Sequence, residues 1–156
     1  MAAELIKEPI RQRTFIAASP EKVFDAITSA DAWDAFFTTG MELQAKPEGR
    51  IVFRWQDWGP DHYTLDAPGK VLEVDRPKRF VFQWGRKPTT ITFDLEPADG
   101  GTVLEVTEVG YTNTLEGRRH MLECACGWGE AATLLKFWLE HGVVYGKMPR
   151  PAESSA

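Results

Sequence analysis

Cysteine is scarce in this chain: Cys124 and Cys126, two residues apart, are the only thiols. They cannot build a disulfide framework, and that spacing matches no common zinc signature. No apolar run approaches the roughly 18 residues that a membrane span needs. The stretch from Met1 to Arg13 carries Glu4, Lys7, Glu8 and Arg11, so it lacks the apolar centre of a signal peptide. A reducing, cytoplasmic location is the expectation. Positive charge is not in excess either: 18 Lys and Arg stand against 23 Asp and Glu, a net charge of −5. That balance disfavours nucleic acid, whose phosphates require a basic patch, and it disfavours an anionic membrane surface. No repeat, phosphate loop, dinucleotide fingerprint or serine nucleophile elbow occurs. The chain therefore reads as needing no cofactor, no metal and no membrane insertion.

Aromatics, by contrast, are plentiful: six Trp, nine Phe and three Tyr in 156 residues, of which 43% are hydrophobic. A chain of this length folds as one domain and buries roughly 70% of its unfolded surface without a staple. Residues 1–146 are assigned to that domain. The segment Lys147 to Ala156, with Pro149 and Pro151 and little to bury, reads as a disordered tail.

The pattern along the chain divides cleanly. A strand is expected from about Ile10 to Ile16. Ser19-Pro20-Glu21 starts a helix: the serine caps free N–H groups, the proline loses no hydrogen bond at the first helical position, and the glutamate suits the positive dipole end. Ser29 caps a second short helix through Trp33, Phe36 and Phe37. Period-two runs follow: Ile51, Phe53 and Trp55 against Arg54 and Gln56, then Phe80, Phe82 and Trp84, then Ile91, Phe93 and Leu95 against Thr92, Asp94 and Glu96. Such alternation marks an antiparallel sheet with one wet face. A long helix closes the chain from about Leu115 to His141, with Met121, Cys124, Trp128, Ala131, Leu135 and Trp138 on one stripe and Gly142 as its C-cap. Gly127 and Gly129 flank Trp128 and invite either a close strand or a bend. The sum is an α+β fold: a curved antiparallel sheet of about six to seven strands, two short helices, and one long C-terminal helix in its grip.

This ordering resembles the START-like (START/Bet v-like) helix-grip superfamily, SRPBCC. Within it the chain is similar to the C-terminal domain of the activator of heat-shock protein 90 ATPase. The residues that carry the resemblance are Arg13-Thr14-Phe15, Ser19 through Ala26, Pro47-Glu48-Gly49 leading into the Phe53 strand, Gly69 through Pro77, Phe80 to Trp84, Thr107 through Tyr111, and Cys126-Gly127-Trp128. They span about Ile10 to His141. The resemblance implies a binder of small apolar or amphipathic molecules, a polyketide cyclase or related enzyme, or a co-chaperone that touches heat-shock protein 90. These 156 residues lack the separate N-terminal domain that the eukaryotic activator carries.

The leading expectation is non-catalytic binding of a small hydrophobic or amphipathic molecule, lipid-like or otherwise, in a cavity between sheet and long helix. Its contacts would be Phe37, Phe53, Trp55, Phe82, Trp84, Phe93, Glu108, Trp128 and Leu135. The same rings could instead simply fill a core. Glu108 is the most informative of them, because alternation places it inward with Leu104 and Val106, where a carboxylate is costly unless partnered. It reads either as an orienting group or general base for a ligand, or as half of an ion pair with Arg118 or Arg119. A cyclase- or hydrolase-type enzyme using Glu108 or His120 and a co-chaperone module are the alternatives. His120 and Cys124, four apart, share a helix face but lack a third metal ligand. The segment Asp57 to Tyr63 reads as a lid or as a hairpin loop whose Trp58 folds back. A homodimer through Phe36, Trp58 and Phe137 is a further possibility.

Overall fold

The computed structural model describes residues 3–145; the tail expectation for 147–156 falls outside them. The element order is β1 (Ile10–Ile16), α1 (Pro20–Ile27), α2 (Ala30–Phe36), β2 (Glu42–Leu43), β3 (Arg50–Trp58), β4 (Tyr63–Asp75), β5 (Arg79–Trp84), β6 (Thr89–Ala98), β7 (Gly101–Val109) and α3 (Leu115–His141). The strands form one seven-stranded sheet in the order β1-β7-β6-β5-β4-β3-β2, every neighbouring pair antiparallel. It is a meander from β2 to β7, with β1 added beside the last strand. This is the α+β helix-grip architecture that the alternating runs predict.

The helix ends follow from side-chain chemistry. Ser19 Oγ accepts from the Lys22 amide and Ser29 Oγ from the Ala32 amide, both at 3.2 Å, which satisfies donors that a helix start leaves free. Thr114 does the same for α3, accepting from Gly117 at 3.0 Å. Gly142 ends α3 at φ 68°, the left-handed conformation that costs glycine nothing.

One face of the sheet carries the core. Phe53, Phe80, Phe82, Phe93, Ile51, Ile91 and Leu104 are all buried, and Trp33 and Phe36 close the end of the sheet from α2. The opposite face carries exposed ion pairs, such as Arg11 and Arg13 on Glu105 and Arg79 on Glu73 and Asp94. Pairs this wet are screened and add little to stability. The long helix packs with Trp128, Ala131 and Leu135 inward. Gly129 lies against β1, where an added Cβ would sit 3.4 Å from Gln12, and Gln12 donates to the Ala125 carbonyl at 3.2 Å. A close strand thus accounts for Gly129, whereas Gly127 looks into open space.

Among the described residues, the space between the sheet and the inward face of α3 is nearly filled. The sequence-based expectation of a cavity meets a void of about 10 Å³ between Trp33, Phe93, Leu104, Val106, Trp128, Ala131, Ala132 and Leu135, room for a single water at most. The reason is ring packing. Trp128 meets Phe53, Phe82 and Phe93 edge-on at 6.1, 6.4 and 5.7 Å, and Trp33 meets Phe53 at 5.0 Å. The rings interlock at the separations that aromatic pairs prefer, so they consume the space between sheet and helix.

Close backbone approach makes one strand position intolerant. At Gly69, paired with Trp84 of β5, an added Cβ would lie 2.0 Å from the Gln83 carbonyl oxygen. Gly69→Ala should therefore cost about 3 kcal/mol, the upper range for overpacking, read as a lower denaturant midpoint at unchanged slope.

Candidate functional site

Glu108 sits near the end of β7 with no exposed surface. Alternation along Leu104, Val106 and Glu108 turns it inward, as the pattern predicts, and three donors from three other elements meet it. Trp128 of α3 donates its indole N–H to Oε1 at 2.8 Å. Trp84 of β5 donates its own to Oε2 at 3.0 Å, and Thr89 of β6 donates its hydroxyl to the same oxygen at 2.5 Å. The two indoles stack at 5.3 Å with 21° between their planes. An ion pair with Arg118 or Arg119 does not form: Arg118 donates to Asn113 at 2.9 Å, and Arg119 borders an open depression with Leu115, Glu116, His120 and Glu123. The rotation of α3 is the cause, since it turns Cys124 and Trp128 toward the sheet and both arginines outward. Three neutral hydrogen-bond donors stand where a countercharge was expected.

Next to this carboxyl lies a second polar corner. Tyr111, just beyond β7, is 5% exposed, and its buried hydroxyl sits beside Glu108 and the Cys124 thiol without a well-formed hydrogen bond to either. Burial, before any neighbouring charge, pushes the phenol far above its ordinary range. Burial likewise pushes the Cys124 thiol from 9 up to about 11, reinforced by Glu108 and Glu123. His120 stacks edge-on against Tyr111 at 5.4 Å. Among the described residues no three His, Cys, Asp or Glu side chains gather as a metal site. Neither Thr89 nor the Tyr111 hydroxyl was singled out as a site group from the sequence. Thr89 opens β6 next to the Gly85–Pro88 turn, and Tyr111 follows a glycine at φ 115°, so neither belongs to a readable alternation.

The other predicted contacts divide into two groups. Phe53, Phe82, Trp84 and Phe93 are in ring contact with Trp128, and Leu135 borders the same small void. Phe37 and Trp55 touch each other at 5.5 Å, further along the concave face. Trp55 is 6% exposed with a buried indole N–H that has no partner among the described residues. Trp58 folds back between Phe37 and Tyr145, 5.4 Å from each ring, so the hairpin reading of Asp57–Tyr63 describes it. Phe36 is fully buried and cannot serve a dimer, whereas Phe137 remains 44% exposed.

A family model described as Activator of Hsp90 ATPase homolog 1-like protein matches residues 17–140. The chain belongs to this family. The solution structure of an Aha1 dimer from Colwellia psychrerythraea is 26% identical, covering 90% of this chain and 99% of that one with a TM-score of 0.72. Crystal structures of proteins from Rhodobacter sphaeroides (24% identity, 87% and 97% coverage, TM-score 0.72) and Staphylococcus saprophyticus (23%, 88% and 96%, 0.71) share the same fold. No curated protein matches the chain. In this Activator of Hsp90 ATPase homolog 1-like chain, as described, no helix is long and apolar enough to cross a membrane.

Three outcomes test this geometry. Glu108→Gln keeps the shape but turns an amide N–H₂ toward one of three donors, and should lower stability by about 1–3 kcal/mol in denaturant melts. Cys126, exposed, should take a maleimide quickly at pH 8, while Cys124 labels slowly until the pH nears 11. The unfolded thiol loses its proton near 9 and the native one near 11, so stability should fall as pH rises through that window.

Proposed function

We propose that the chain binds a small hydrophobic or amphipathic molecule between the sheet and α3, without transforming it. The contacts are Phe53, Phe82, Trp84, Phe93, Trp128 and Leu135, with Phe37 and Trp55 beyond them and Glu108 as the polar anchor. The observation that carries the reading is the uncharged surround of Glu108: a carboxyl held by two stacked indoles and a threonine, inside a wall of rings. Aromatic walls with a few convergent polar groups are the usual make-up of a small-molecule site. The binding role implied by the resemblance points the same way.

A void of about 10 Å³ is far below the several hundred that such a ligand occupies. Uptake therefore requires the rings to part. Trp84 is the half-buried wall, and its indole is tied to Glu108 by one hydrogen bond, so its outward swing is the least costly opening.

A second reading is a protein-binding module, for which the family description supplies the partner: heat-shock protein 90. It is favoured by Leu115 and Leu122, which stand 60% and 68% exposed on α3. Self-association, as in the Colwellia relative, is an extension of it. Native mass spectrometry of freshly purified protein decides first. A mass excess lost on denaturation is expected. A bare mass at every preparation, together with a raised ATPase rate of added heat-shock protein 90, would replace the binding reading with the second one.

A further inference from the structure

Glu108 has hydrogen-bonding capacity left over. A carboxyl offers about four lone-pair positions. Oε2 uses two on Trp84 and Thr89, while Oε1 uses one on Trp128. Beside it the Tyr111 hydroxyl, 95% buried by its residue exposure of 5%, is an unspent donor. Burial keeps that phenol protonated, so it remains a donor across the working pH range. An unmet acceptor position on Glu108, which both stacked indoles reach, and an unmet donor on Tyr111 thus stand next to each other. Buried polar groups left unmet cost free energy, which a bound group of matching polarity would recover.

We propose that this corner receives the hydroxyl of a neutral, flat, apolar alcohol or phenol: the hydroxyl accepts from Tyr111 O–H and donates to Glu108 Oε1, while the ring system lies along Trp84 and Trp128. The proposal rests on the binding reading above and names the class of ligand for it. An anionic head group is excluded, because its lone pairs would face those of Glu108, which has no ion-pair partner among the described residues. A pure hydrocarbon gains the ring contacts but leaves both polar groups unmet.

The test uses three probes of one shape: 2-naphthol, 2-methylnaphthalene and 2-naphthoate, titrated calorimetrically into the full chain. The wild type should bind 2-naphthol about tenfold more tightly than 2-methylnaphthalene, the worth of two net hydrogen bonds, and 2-naphthoate least of all. Tyr111→Phe keeps only the bond to Glu108, so its preference for 2-naphthol over 2-methylnaphthalene should narrow to about threefold, while it melts within a few degrees of wild type. Equal binding of those two probes by the wild type would overturn the hydroxyl assignment and leave the binding reading standing; a water in the corner would produce that result. Tightest binding of 2-naphthoate would overturn it as well. Failure of all three probes to bind would bring down the assignment together with the binding of flat apolar molecules.

Discussion

The interior is organised around one buried carboxyl. Glu108 joins β7 to β5, β6 and α3 through Trp84, Thr89 and Trp128, so a single side chain ties the long helix to three strands of the sheet. An apolar residue at that position would leave two indole N–H groups and a hydroxyl without acceptors in a dry interior, each at a cost of about 1–3 kcal/mol. The acid is therefore held in place by what surrounds it, and the aromatics are held by the acid. Remote contacts complete the clamp: Gln12 of β1 fixes one side of α3, and Trp138 packs on Phe36 at 5.8 Å at its far end.

That clamp explains why the space under the helix is closed. Trp128 cannot both reach Oε1 and stand clear of Phe53, Phe82 and Phe93. Its hydrogen bond brings the indole down among them, and the rings settle edge-on to it at 6.1, 6.4 and 5.7 Å. Interiors packed in this way resist gradual widening and change by discrete repacking of side chains. Under the proposed binding reading, an opening is accordingly a switch in a few rings, with half-buried Trp84 the most accessible of them.

Much of this was legible before any coordinates. Period-two patterning placed Phe53, Phe82, Phe93 and Glu108 on the buried face, because a strand turns every second side chain to the same side. Ser19-Pro20-Glu21 and Gly142 marked helix ends through chemistry that acts over three or four residues. The partner of Glu108 was not legible. Arg118 and Arg119 are near it in sequence and carry the right charge, but the rotation of α3 is set by packing against β1 and α2, and it brings Trp128 to the carboxyl instead. The volume of the interior was hidden for a related reason: rings that can line a cavity can equally fill one, and the difference lies in separations of an ångström or two. Tyr111 and Thr89 escaped because they follow or open irregular turns, where no periodicity reports which way a side chain points.

Three groups that invite a catalytic reading lie together here, and their surroundings pull each away from it. Three donors already occupy most of the lone-pair positions of Glu108, and the residue has no exposed surface from which to meet a substrate. Cys124 keeps its proton up to about pH 11, and the thiol, unlike the thiolate, is a poor nucleophile. His120 lies edge-on to Tyr111, outside hydrogen-bond contact with either of the other two among the described interactions. A nucleophile–base pair needs mutual contact and a shifted proton affinity in the activating direction. Burial here works in the opposite direction, holding Cys124 and Tyr111 in their protonated forms. Such a corner is suited to recognising a polar group by shape and hydrogen-bond polarity, which is the demand that binding places on a site.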